Sequence, residues 1–213
     1  MAFSELDAEL LSDDAYDEVR FTGADLAGSD DPDDRSGSSA AGSRFLDCVV
    51  EDADLTGARL GATRWTDCRW TRVRGAGVEL ADAALQDVVV EEARLGAPAA
   101  YGSTWRRVTV RGGKVDFLNL RGARLQEVAF EDCVLVEPDF AGATLTGVTF
   151  HGCTLQSAQW SGATLTRVDL SEASVLAPQG VTSLRGAMIS RPQLIDLADV
   201  LASQLGIVVV DRR

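Results

Sequence analysis

The chain has 213 residues and a formal net charge of −13, from 33 acidic against 20 basic residues, with 46% hydrophobic and only 6% aromatic residues. That balance, without a basic stripe interleaved with aromatics, argues against direct nucleic-acid binding. No run of eighteen apolar residues and no basic-then-apolar leader marks a membrane span or a secretory signal, so a single cytoplasmic domain with no membrane partner is the expectation.

Residues 1–42 form an acidic N-terminal segment with twelve acidic residues against two basic ones, so ten of the thirteen net negative charges lie there. Residues 4–11, with Leu6, Leu10 and Leu11 among acids, read as a short helix. Phe21 and Leu26 centre two five-residue units, 19–23 and 24–28. Residues 29–42 then hold nothing apolar larger than Ala. With Asp30, Asp31, Asp33 and Asp34 set among Ser, Gly and Pro, they read as a projecting flexible loop.

A strict five-residue rhythm follows. From position 45 to position 175 every fifth residue is apolar, as in Phe45, Val50, Leu55, Leu60, Trp65 and Trp70, with Gly75 and Ala100 the small exceptions in 27 consecutive units. A second column two residues earlier is mostly Ala, Val and Cys, as in Cys48, Ala53 and Ala58. A period of five matches neither the 3.6 of a helix nor the 2 of a simple strand, and a repeat architecture is the reading to try first. The units Ala53-Asp54-Leu55-Thr56-Gly57 and Ala143-Thr144-Leu145-Thr146-Gly147 carry the pattern most clearly, and in them the chain resembles the pentapeptide-repeat family.

The resemblance implies an all-β repeat: a right-handed quadrilateral β-helix over residues 43–177, four units to each square coil, so that residues twenty apart stack. The columns agree. Phe45, Trp65, Leu85, Trp105, Leu125, Leu145 and Leu165 stay large, and Ser43, Thr63, Ala83, Ser103, Ala123, Ala143 and Ala163 stay small, as dense packing requires. Gly75 shares a coil with Trp65 and Trp70, where one missing side chain makes room for two oversized ones. Trp160 has no comparable compensation in the sequence. At about 4.8 Å per coil the rod is roughly 32 Å long.

Ala177-Pro178-Gln179-Gly180 interrupts the rhythm, which resumes one residue out of register at Leu184 and Ile189. In the final segment, 178–213, Ser190 is a good N-cap with Pro192 in the first turn, Leu194, Leu197, Ala198, Leu201 and Leu205 give one apolar face, and Gly206 is the stop, which predicts a helix over 191–205. A short strand over 207–210 is expected after it. The helix covers the last coil or joins two copies of the chain.

Cys48 with Cys68, and Cys133 with Cys153, are twenty apart and therefore stacked. Their spacing tolerates a disulfide, but buried thiols replacing Ala or Val fit the column better. No clustered ligands suggest a metal, no Gly-rich loop suggests a phosphate cofactor, and the single histidine, His151, faces outward. The acidic pairs Glu51-Asp52, Glu91-Glu92 and Glu131-Asp132 stand on a convex wall, whereas chemistry prefers concave sites. The reading is a non-enzymatic protein without cofactor, metal or catalytic residues.

Binding is then the class of function. The resemblance extends to the quinolone-resistance members of the family, Qnr-like and mycobacterial, which imitate double-stranded DNA and bind DNA gyrase or topoisomerase IV. What it implies here is a DNA mimic that modulates a type II topoisomerase or protects it from quinolones, dimeric through Leu194, Leu197, Leu201 and Leu205. The candidate edge is Asp47, Glu51, Asp52, Asp67, Asp87, Glu91, Glu92, Glu127, Glu131 and Asp132, continued by Glu172. Arg72, Arg107, Arg111 and Arg167 interrupt it, and Arg74, Arg94 and Lys114 make a basic column elsewhere. A general protein-protein interaction scaffold, presenting ladders such as Thr144, Thr164, Thr146 and Thr166, is the alternative.

Overall fold

The computed structural model describes residues 11, 13–23, 26 and 39–210, together with the backbone of Ser4–Glu5. Up to three of the four units in a coil form a short strand, mostly of three residues with the central one inward, such as Arg44–Leu46, Val49–Glu51 and Arg64–Thr66. A single residue with positive φ then swings the chain round the corner. In one coil these are Asp47 at 50°, Asp52 at 55°, Gly57 at 64° and Ala62 at 54°. This is the left-handed region, in which Gly, Asp and Asn are the least penalised residues. Four such corners per twenty residues close a square, and that is why the period is five.

All pairings are parallel, and the walls are an eight-stranded sheet containing Arg44–Leu46, a ten-stranded sheet containing Val49–Glu51, and a six-stranded sheet containing Arg74–Ala76. A fourth wall consists of single bridges running from Ser39 through Arg59, Glu79, Ala99, Asn119, Asp139 and Gln159 to Gln179. The result is the quadrilateral β-helix, an all-parallel solenoid of about seven turns with a short C-terminal helix. Phe45 pairs with Trp65 and Trp65 with Leu85, so the twenty-residue stacking holds through the body.

Both ends depart from it. Tyr16 pairs with Phe45 and Phe21 with Val50, an offset of twenty-nine, so the first coil carries nine extra residues and begins before the first unit read from the sequence. Those extra residues fall within 27–38. The acidic loop expected over 29–42 lies outside the described residues except for 39–42, and Asp30, Asp31, Asp33 and Asp34 lie outside them altogether. Ser4–Glu5 pairs with Val19 and Arg20 as a strand, not as the start of a helix, because the first coil presents an open sheet edge with unpaired backbone groups; residues 6–10 lie outside the described residues. At the far end Val168 pairs with Ala187 and Asp169 with Met188, an offset of nineteen, matching the one-residue slip.

The core is a continuous axial stack. Phe45 lies flat on Trp65 with ring centres 3.7 Å apart, and Trp65 meets Trp70 edge-on at 4.8 Å. Gly75, at φ 155°, approaches the Leu55 backbone so closely that an added Cβ would meet it at 2.7 Å. No side chain fits at this position between the coils, while Trp65 and Trp70 stay buried in the core. Trp160 stacks on Phe140 at 4.5 Å and is fully buried. The small column keeps its polar members satisfied: Thr63 donates to the Leu60 carbonyl and accepts from the Trp65 indole N–H, and Ser103 donates to the Ala100 carbonyl. The four cysteines are buried free thiols, and the neighbouring Cys48 thiol and burial together push the Cys68 thiol up.

The C-terminal helix forms in two segments, α1 (Arg191–Asp196) and α2 (Ala198–Gln204), which meet at Leu197. Leu197 is the apolar helix residue buried against the end of the rod, and it lies over Val181 and Leu184 of the preceding 3-10 turn. Gly206 at φ 72° ends α2, with its N–H on the Ser203 carbonyl and the Ile207 N–H on the Ala202 carbonyl. Residues 207–210 are exposed and form no strand. No helix among the described residues is long and apolar enough to cross a membrane.

Candidate protein-binding edge

The ten predicted edge acids flank the ten-stranded wall on two corners: Asp47, Asp67, Asp87 and Glu127 lie where it meets the eight-stranded wall, Asp52, Glu92 and Asp132 lie where it meets the six-stranded wall, and Glu51, Glu91 and Glu131 end its strands beside that second corner. Asp47, Asp52, Asp67, Asp87, Glu92, Glu127 and Asp132 occupy the positive-φ corner position itself, with φ from 50° to 56°. Part of the acidity therefore has a conformational origin, since Asp is one of the few side chains that tolerates this backbone. Gly112, Gly147 and Gly152 occupy equivalent corners further along.

Half of the edge is neutralised by cations on neighbouring coils. Arg72 donates to Asp52 and to Glu51, each at 2.7 Å, and Arg20 reaches Glu51 at 2.9 Å. Arg69 and Arg111 flank Glu91 at 2.6 and 3.4 Å, and Arg111 also donates to Glu131 at 2.7 Å. Arg107 forks onto both oxygens of Asp87. The hydrogen bond from Arg72 holds the Asp52 carboxyl below its usual range, and Arg107 does the same for Asp87. Asp47, Asp67, Glu92, Glu127 and Asp132 have no ion pair among the described residues. Beyond the edge, His151 Nδ1 lies 2.6 Å from Glu172 on the open wall.

At the C-terminal end the four predicted leucines separate. Leu197 is buried, Leu201 is half-buried in a cleft of about 300 Å³ with Val181 and Leu184, and Leu194 and Leu205 are 49% and 77% exposed. Gln193, which the sequence reading did not single out, is buried. Its amide N–H groups reach the Leu170 and Ala173 carbonyls of the last coil at 2.6 and 2.5 Å, while its oxygen accepts from the Ser190 N–H at 2.6 Å. The Ser-x-x-Gln spacing at 190–193 was its signal, since this is a capping box. No three His, Cys, Asp or Glu side chains converge as metal ligands among the described residues.

A family profile described as pentapeptide repeats matches the chain in eight copies, over residues 53–90, 118–152 and 145–175. The chain belongs to the pentapeptide-repeat family. Solved pentapeptide-repeat structures are similar in fold only. HetL, described as involved in heterocyst differentiation regulation in the cyanobacterium Nostoc sp. strain PCC 7120, is 16% identical, with 84% of this chain and 91% of that chain covered and a TM-score of 0.41. QnrB1, described as a plasmid-mediated fluoroquinolone resistance protein, is 19% identical, with 91% and 99% covered and a TM-score of 0.36. No curated protein matches this pentapeptide-repeat chain by sequence.

Proposed function

We propose that the chain is a non-catalytic, cytoplasmic binding rod whose acidic ten-stranded wall engages a basic protein surface, with DNA gyrase or another type II topoisomerase as the candidate partner. The observation that carries this reading is the set of five carboxylates without ion pairs among the described residues on the two corners of that wall, Asp47, Asp67 and Glu127 on one and Glu92 and Asp132 on the other. From the coil of Asp47 to that of Asp132 there are four coil spacings, about 19 Å, or roughly one free charge per 4 Å over both corners together. Duplex DNA carries one per about 1.7 Å of axis. The wall is thus a sparse imitation of DNA, suited to electrostatic steering toward a basic groove.

The second reading is a general interaction scaffold with no action on topoisomerases. It is favoured by the in-register pairs Thr144 with Thr164 and Thr146 with Thr166, which give the distal half of the rod a flat neutral wall. Gyrase supercoiling measured with purified protein, with and without a fluoroquinolone, separates the two. Inhibition or drug protection that weakens with salt, and that is lost on charge reversal at Glu92 and Asp132, supports the first reading; no effect at any concentration of folded protein leaves the scaffold.

A further inference from the structure

The six-stranded wall carries a feature opposite in sign to the net charge of the molecule. Its strands Arg74–Ala76, Arg94–Gly96 and Lys114–Asp116 are paired in register, so that Arg74 stands beside Arg94 and Arg94 beside Lys114. Adjacent rungs are about 4.8 Å apart, and like charges directly opposite across a ladder are destabilising. Arg74 reaches Asp54 at 3.2 Å and Lys114 reaches Asp116 at 2.8 Å, whereas Arg94 has no ion pair among the described residues. A chain with 33 acidic and 20 basic residues has nonetheless stacked three cations on consecutive coils.

The wall is hollowed at this point. Outward positions 76 and 96 are Ala and Gly, and Gly113, at φ 80°, lies so close to the Ala93 backbone that no side chain fits there. Two grooves of about 490 and 480 Å³ meet at Arg94 and Gly113, one extending past Lys114 and Asp116, the other past Arg72, Arg74 and Glu92.

We propose that this groove binds an oligophosphate group, held along the ladder by Arg74, Arg94 and Lys114. Guanidinium forks match phosphate oxygens bidentately, and Lys114 adds a point charge at the far rung. The three cations span two rungs, about 9.6 Å. A condensed phosphate chain repeats its charge at intervals shorter than one rung, so an oxygen meets every cation. An acidic peptide strand along the same axis places same-face side chains about 6.6 Å apart and falls out of step with the ladder. The groove floor of Gly and Ala admits close approach to the backbone, and the ladder of cations ends at Asp54 on one side and Val134 on the other, which disfavours a longer polyanion.

The test is calorimetric titration of the full chain with sodium tripolyphosphate, ATP and inorganic monophosphate at about 0.15 M salt, where exposed charges are screened beyond roughly 8 Å. Saturable binding of tripolyphosphate, with weaker binding of monophosphate, is expected. Equal binding of ATP indicates that the phosphate chain alone is read, and tighter binding of ATP indicates a nucleotide as its source. Arg94→Gln is expected to weaken binding about tenfold, the loss of a charge-assisted hydrogen bond. Arg64→Gln, which removes an arginine stacked on Arg44 but lining neither groove, leaves it unchanged. Absence of saturable binding, or an equal loss in both variants with their circular dichroism intact, overturns the proposal.

Discussion

Asp52 and Asp87 show how a single corner residue serves both conformation and charge. Each adopts positive φ, and each is held by an arginine exactly one coil away in sequence register, Arg72 or Arg107. Their carboxyls are lowered from the ordinary 3.8, first by those arginine hydrogen bonds. A carboxyl lowered in the folded state contributes stability that is complete above the unfolded value and is lost as pH falls through the folded one. The urea midpoint should therefore be flat from pH 7 to about 5 and decline below about 4, and the double variant Arg72→Gln, Arg107→Gln should decline less steeply. Parallel acid profiles for the two proteins would show that these pairs add nothing. The pairs twenty apart were legible in the sequence once stacking was assumed. Arg69 with Glu91 and Arg72 with Glu51 were not, because they run diagonally between neighbouring coils, at separations of 22 and 21, and not along the twenty-residue stack.

Among the elements, the C-terminal helix shows where periodicity stops informing. The cap Ser190, Pro192 in the first turn and the Gly206 stop all follow from local rules, and all are in place. What local rules do not reveal is that the last coil leaves the Ala173 carbonyl without a backbone partner among the described residues and the Leu170 carbonyl with only the Ala173 N–H of its own turn, and that Gln193 donates to both. Tyr16 was missed for a related reason: the nine extra residues of the first coil hide that it stacks on Phe45 at 4.9 Å, although it lies one unit before Phe21. Gln193→Leu keeps the volume but leaves the Ala173 carbonyl unpaired, at a cost of about 1–3 kcal/mol, and removes one of the two hydrogen bonds to the Leu170 carbonyl. It should lower the urea midpoint more than Ser190→Ala, which removes only the cap at about 1 kcal/mol. A Gln193→Leu midpoint equal to that of the parent would mean that water reaches those carbonyls and that the helix does not seal the rod.

For the molecule as a whole, the two ends are not equivalent. A solenoid needs both terminal coils covered, because each exposes a ring of unpaired backbone and apolar interior. The N-terminal coil is extended by Ser4–Glu5 and filled by Tyr16 and Phe21. The C-terminal end is covered by Leu197 and Gln193, yet Leu176, Met188, Leu194, Ile195, Leu205 and residues 207–210 remain exposed, Val208 at 81%. Isolated exposed apolar residues are ordinary, but their concentration in the last 40 residues of a chain with a strongly charged opposite end is the pattern of an unfilled interface. A second copy meeting the first through this end would bury Leu194 and Leu205 and double the length of the rod, extending the acidic wall on both sides of a two-fold axis. Leu194→Glu with Leu201→Glu is the direct test. Leu194 is outside the core and Leu201 only half-buried, so the variant should fold and should run as a monomer by light scattering at a concentration where the parent is dimeric. A parent that is monomeric at all concentrations, or a variant that remains dimeric, removes this end as the joint. In that case the acidic wall must act over the length of one rod alone, with the free carboxylates of its two corners, Asp47, Asp67 and Glu127 on one and Glu92 and Asp132 on the other, as its unneutralised charge.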